Sequence, residues 1–220
     1  MINKKWLWLP LLFAVLMVNA NSAQALEKGD FIARLGASSV SPIDSSNAVT
    51  GLANSEVGVD SAMTAGFTVG MMLTDNISLE MLGIYPSNHR LIGKGSISGI
   101  DVGEVDVFPP TFHLNYYFMP NAKLSPRIGA GFSTVFYLSP EVAGGVASTL
   151  YSGIDVEHTI GLAANVGLDY YINDNWMLTM GVWYIDVDAE ATLTNVAGGT
   201  STVDIDVNPI ATLFGIGYRF

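Results

Sequence analysis

Five charged side chains share the interior-facing parity of strand-patterned segments in this chain: Arg34, Glu80, Arg127, Asp169 and Arg219, with His113 and Asn115 close by. Such a set can bind a charged solute or pair within itself. Fully buried charges are rarely tolerated unpaired, so the expectation is a salt-bridge network filling one half of an enclosed interior. His89, His113 and His158 are the candidates for proton transfer. Only His113 has a clear strand position, and no serine or acid lies at an obvious pairing distance from it in sequence. No enzymatic site is expected. Asp186, Asp188, Asp204 and Asp206 cluster, but they read as an acidic wall rather than as metal ligands. The chain has no cysteine, which excludes disulfides, thiolate metal sites and thiol nucleophiles. Neither a metal nor a cofactor is expected.

The elements that position these groups are strands. Residues 159–172 read TIGLAANVGLDYYI. Their even positions (Ile160, Leu162, Ala164, Val166, Leu168, Tyr170, Ile172) are lipid-compatible, and their odd positions are mostly small or polar. The same period of two recurs over 65–73, 111–118, 127–136 and 210–220. A water-exposed second face would carry Lys, Glu and Thr. Here it is largely glycine and alanine, as in a narrow barrel lumen.

Composition agrees. Half of the residues are hydrophobic and only 13% are charged, yet beyond the N-terminus no apolar run is long enough for a spanning helix. A backbone in lipid must satisfy its own polar groups, and the non-helical solution is a closed barrel. Residues 1–25 read as an export signal: Lys4 and Lys5, an apolar run from Trp6 to Val18, then Ala23-Gln24-Ala25. Its removal leaves seven basic against twenty acidic residues, a formal charge of −13. Nucleic-acid binding, which needs a basic footprint, is excluded.

Thr74–Asn76, Met119–Lys123 and Asn173–Asn175 are short turn-forming segments. The other connections, about 39–57, 86–103, 138–157 and 192–202, are longer and rich in Gly, Ser and Asn. The expected fold is therefore all-β: a transmembrane, eight-stranded antiparallel barrel over 26–220, with three periplasmic turns, four long external loops and both termini periplasmic. Phe220, ending an alternating strand, resembles the C-terminal aromatic read by outer-membrane assembly machinery, which makes that machinery an expected partner.

Along 176–191 the outward parity passes from Trp176, Leu178, Met180, Val182 and Tyr184 to Asp186, Asp188 and Glu190. The inward parity meanwhile becomes Ile185, Val187, Ala189 and Ala191. The same exchange sets Val203, Ile205 and Val207 against Asp204 and Asp206, and Val105 and Val107 against Glu104 and Asp106. A barrel rising above the lipid would have an acidic outer wall and an apolar vestibule lined by these valines and isoleucines. Bulges near Tyr184 and near Pro109 or Pro209 would reverse the parity and put the carboxylates inside. Pro109, Pro110 and Pro209 remove ladder donors, so they mark candidate lateral exits.

TDNISLEMLG (74–83), FPPTFHLNYYFMPNAKLSPRIGAG (108–131), NVGLDYYINDNWMLTMGVWYIDVDAEA (165–191) and NPIATLFGIGYRF (208–220) resemble the OmpW family of small outer-membrane barrels. The resemblance implies an eight-stranded barrel in the bacterial outer membrane with a narrow, mostly apolar interior that passes small hydrophobic molecules. It also implies a hydrophobic constriction at Leu82 and Trp183, the positions within LEML and GVWYID that match the family pattern. Expected partners are membrane lipid, lipopolysaccharide and a small hydrophobic substrate. The competing expectation is a non-conducting barrel that displays its external loops.

Overall fold

The computed structural model describes residues 25–43, 45, 46 and 54–220; residues 1–24 of the expected export signal lie outside the described residues. The chain runs through β1 (Phe31–Ser41), β2 (Ser45–Ser46), β3 (Ser55–Val59), β4 (Ala62–Met72), β5 (Ile77–Ile84) and β6 (Ser87–Gly95). It continues through β7 (Asp101–Phe108), β8 (Thr111–Tyr117), β9 (Leu124–Val142), the helical turn α1 (Val146–Leu150) and β10 (Tyr151–Val156). The last strands are β11 (Thr159–Tyr171), β12 (Trp176–Asp186), β13 (Asp188–Asn195), β14 (Thr200–Asp206) and β15 (Ile210–Arg219).

These strands make two tiers. In the lower tier β1, β4, β5, β8, β9, β11, β12 and β15 pair in that order, every pair antiparallel, and β15 returns to β1 with Ile32 opposite Arg219. Closure leaves no free edge, which is what a sheet in lipid requires. The upper tier continues these staves. There β3, β6, β7 and the end of β9 form one wall, and β10, β13, β14 and β2 form the other.

The alternation that specifies the strands also sorts their faces. Ile160 and Leu162 are 75% and 71% exposed on the outside, while Ala163 and Asn165 on the opposite parity are buried. Large apolar side chains this exposed around a closed sheet form a lipid-facing band. Trp176, Tyr218, Phe220 and Phe31 pack edge to face or tilted at its lower margin, successive ring centroids 4.7–5.8 Å apart, as an aromatic girdle. Among the described residues no helix is long and apolar enough to cross a membrane.

The tight turns lie where the Asn- and Asp-rich segments place them. Asn173 Oδ1 accepts from the N–H of Asn175 and of Trp176 at 3.0 and 2.8 Å, and Thr74 Oγ1 accepts from Ile77 N–H at 3.0 Å. These side chains cap their own backbone in the manner that favours such turns.

At the opposite end the strands reach much further than expected. Most of 86–103 is β6 and the start of β7, and 138–157 and 192–202 carry the ends of β9 and β13 with β10 and β14. Two of the glycines taken as loop formers, Gly93 and Gly103, permit close backbone approach instead. A Cβ on Gly103 would stand 2.4 Å from Glu141 O, across the β7–β9 pair.

Candidate functional site

The lower interior is filled by charge. Arg34 on β1 donates from Nη1 to Glu80 Oε2 at 2.8 Å and to Thr68 at 3.1 Å. Its Nε and Nη2 straddle Asp169 at 3.2 and 2.7 Å, and Nη2 also donates to Tyr117 at 2.8 Å. Glu80 accepts in turn from Tyr117 and Ser78, and Asp169 accepts from Thr179. Arg127 Nη1 is 2.7 Å from Asp169, its N–H bonds aimed off the carboxylate. All of these groups are essentially fully buried. Two guanidinium groups face two carboxylates, so the plug carries no net charge, and hydrogen bonds from neutral partners offset the desolvation that buried ions incur.

Narrow walls make this possible. A Cβ on Gly167 would lie 2.5 Å from Arg127 Cζ, so the Arg127 side chain needs glycine there. Arg219 stands apart from the plug: it donates to Ala25 O at 2.9 Å, lies 3.7 Å from Asp30 and sits over the Tyr171 ring. His113 touches the plug only loosely, its Nε2 3.9 Å from Glu80. Tyr117, Thr68, Ser78 and Thr179 complete the network although the sequence reading did not single them out. Their signal is simple: each shares the inward parity of the charged residue beside it.

Above the plug lies an apolar layer. Leu82 and Trp183 are buried together with Val40, Ile84, Ala211 and Leu213. The Trp183 ring covers Gly181, where a Cβ would come within 2.4 Å of it, and its edge faces His113 at 6.2 Å between centroids.

Above that layer is a cavity of about 50 Å³. Its walls include Val105, Val107, Ile185, Val187, Ile205 and Val207, and also Pro109 and Pro209. Val203 is buried in the same apolar cluster without lining the cavity. Inward parity runs unbroken through β12 and β13 from Met177 to Leu193, with no reversal at Tyr184, and it stays odd from β14 into β15 past Pro209. Asp186, Asp188, Asp204 and Asp206 are accordingly exposed on the outside. Parity does shift elsewhere: between β3 and β4, β5 and β6, and β10 and β11. The top is covered by Ile97, Ile100, Ala147 and Leu150, which pack over Val57, Val102 and Leu193.

The prolines divide. Ladder pairing between β5 and β8 ends at Leu82–Thr111, and pairing between β6 and β7 resumes at Ser87–Val107. Among the described residues no backbone hydrogen bond crosses between 83–86 and 108–110, the stretch that holds Pro109 and Pro110. Pro209 lies at a seam that is stitched: Ile185 N–H donates to Pro209 O at 3.1 Å, and Val207 N–H to Val187 O at 3.2 Å.

The remaining histidines are structural in their contacts. His89 borders the cavity with Nδ1 2.7 Å from Asp60 O, and burial holds its imidazole below the usual histidine range. His158 Nδ1 accepts from Tyr137 N–H at 3.2 Å. Among the described residues no three His, Asp or Glu side chains converge to hold a metal ion.

Comparison with known proteins places this geometry. The OmpW family model matches residues 27–220. Outer membrane protein W of Vibrio cholerae is 39% identical over 199 residues, covering 89% of this chain and 91% of that protein. Outer membrane protein W of Escherichia coli is 32% identical, covering 94% and 96%. The crystal structure of the outer membrane protein OprG from Pseudomonas aeruginosa superposes with a TM-score of 0.85 at 30% identity, covering 90% of this chain and 98% of that one. These relatives are proteins of the bacterial outer membrane. An eight-stranded barrel with a lipid-facing outer band and a match along nearly its whole described length is therefore a bacterial outer-membrane protein, and the chain belongs to the OmpW family.

Proposed function

We propose that this barrel takes up small hydrophobic molecules through its upper tier and releases them sideways into the bilayer. The observation that carries the reading is the pairing of an apolar cavity with a charge-filled base. Apolar solutes gain roughly 25 cal/mol per Å² of surface removed from water, so the valine and isoleucine walls favour them over polar ones. The Arg34–Glu80–Asp169–Arg127 plug blocks an axial path, since opening it would strand buried charges.

In this reading the tight-turn end and both termini face the periplasm, and the upper tier projects from the cell. Leu82 and Trp183 are the constriction. The unpaired stretch at Pro109 and Pro110 is the exit, and the stitched Pro209 seam holds the opposite wall. Membrane lipid receives the solute, lipopolysaccharide surrounds the upper tier, and Phe220 presents the strand end to the assembly machinery.

The test is uptake of a short alkane by cells that carry the protein, a deletion, or the Pro109→Ala variant, which restores a backbone donor at the exit. Deletion should abolish the protein-dependent flux and Pro109→Ala should slow it. Equal flux in all three would leave a loop-displaying, non-conducting barrel as the better account.

A further inference from the structure

One interior layer belongs neither to the charged plug nor to the apolar cavity. Asn115 on β8, Gly129 on β9, Asn165 on β11 and Trp183 on β12 are successive partners across the sheet, so they form one row around the wall. Asn115, Asn165 and Trp183 are all at least 96% buried. Asn165 Nδ2 donates to Asn115 Oδ1 at 2.8 Å. Asn115 Nδ2, Asn165 Oδ1 and Trp183 Nε1 are then without a hydrogen-bond partner among the described residues. Turning both amides over would exchange the free atoms and still leave one donor and one acceptor unmatched. His113 adds an imidazole beside Trp183, neither of its ring nitrogens making a well-formed hydrogen bond. Gly129 keeps the spot open, since a Cβ there would lie 2.1 Å from Asn115 Oδ1 and 2.5 Å from Asn165 Oδ1.

Buried polar groups are ordinarily satisfied, and each exception calls for an explanation. Here several fall along one row that ends at Trp183, one inward position below the cavity-lining Ile185. We infer that this layer is a head-group subsite for a neutral amphiphile with a single hydroxyl, a medium-chain alcohol whose alkyl tail occupies the cavity above. A hydroxyl both donates and accepts, matching Asn165 Oδ1 on one side and Asn115 Nδ2 or Trp183 Nε1 on the other. A carboxylate fits poorly, because the plug below has equal numbers of positive and negative groups and offers no surplus cation. An alkane leaves every one of these atoms unpaired. The cavity alone has room for only about three to five waters, so a tail of several carbons must part the apolar side chains around it.

This inference rests on the proposed uptake function, and its test separates the two. The chain is reconstituted in lipid nanodiscs with labelled tryptophan and valine, and the Trp183 indole N–H signal is assigned against Trp176→Phe. Octane, 1-octanol and octanoate are titrated in turn. The valine methyls of Val105 and Val187 should respond to both octane and 1-octanol, and the Trp183 indole N–H should shift with 1-octanol alone. Asn165→Leu should lower the 1-octanol-to-octane preference roughly three- to tenfold, the worth of one hydrogen bond. An indole shift as large with octane, methyl shifts from 1-octanol without an indole shift, or tighter binding of octanoate would each overturn the subsite and leave the uptake function standing. Silence of the methyls with every ligand would overturn both.

Discussion

The side-chain oxygen of Asn208 accepts a hydrogen bond from the backbone N–H of Val187 at 3.1 Å, across a stretch where Pro209 interrupts the ladder. Asn208 adopts a positive φ of 35° to reach it, a conformation that asparagine tolerates better than most residues. Two proline-marked seams thereby come to differ, one stitched and one with no backbone hydrogen bond between 83–86 and 108–110 among the described residues.

Removing the stitch should loosen the wall that it holds. Asn208→Ala should cost about 1 kcal/mol and speed hydrogen exchange at the Val187 amide, while amides of the lower tier stay protected. Unchanged exchange at Val187 would mean that the backbone bonds of Ile185 and Val207 hold this seam unaided.

The charged plug makes a prediction about pairs. Arg34→Met leaves Glu80 without its arginine partner and Asp169 with Arg127 alone, and breaking a buried pair in this way costs about 3–5 kcal/mol. Removing Glu80 as well, in Arg34→Met/Glu80→Met, should recover part of that loss. Urea unfolding in lipid vesicles would measure both. A double variant no better than the single one would show that packing, rather than stranded charge, sets the cost.

How far the sequence speaks depends on the tier. In the lower tier lipid enforces strict alternation, so the strands, the tight turns and the gathering of Arg34, Glu80, Arg127 and Asp169 can all be read from parity. Arg219 has the same parity but sits one rung too low to join them, and parity carries no height. In the upper tier water bathes the outside, and the contrast between faces fades in Gly- and Ser-rich stretches. The strands β6 and β10 therefore read as loops, as do the first residues of β14 and the last of β9 and β13. The shifts beside Asp60, Tyr85 and Glu157 have no counterpart at Tyr184, and only the three-dimensional register reveals which staves are bent.

Labelling can examine the exchange of faces directly. Asp188→Cys and Asp206→Cys should react readily with a bulky, membrane-impermeant maleimide, since both positions point outward. Val187→Cys and Ile205→Cys should resist it. The opposite ranking would place the carboxylates inside and remove the apolar chamber.

Acid should weaken the upper tier at His89. Burial lowers its folded-state pKa, against raising contributions from Asp60 and Asp106, so folding favours the neutral ring. The stability it contributes is present above the usual value of 6.5 and is lost as pH falls through the lower folded value. The protection of β6 amides relative to their intrinsic exchange rates should fall below pH 6.5, and His89→Gln should flatten that response. An equally steep profile in the variant would assign the acid sensitivity to other groups.

The strand that closes the lower tier joins Ile32 to Arg219, with Phe220 N–H donating to Phe31 O at 2.9 Å. The outermost strands of the lower tier are thus neighbours. Without β15 the tier is a sheet with two raw edges, which has no stable place in lipid and invites pairing with other chains. Closure becomes a checkpoint written into the topology: until β15 meets β1, this barrel has no inside to speak of.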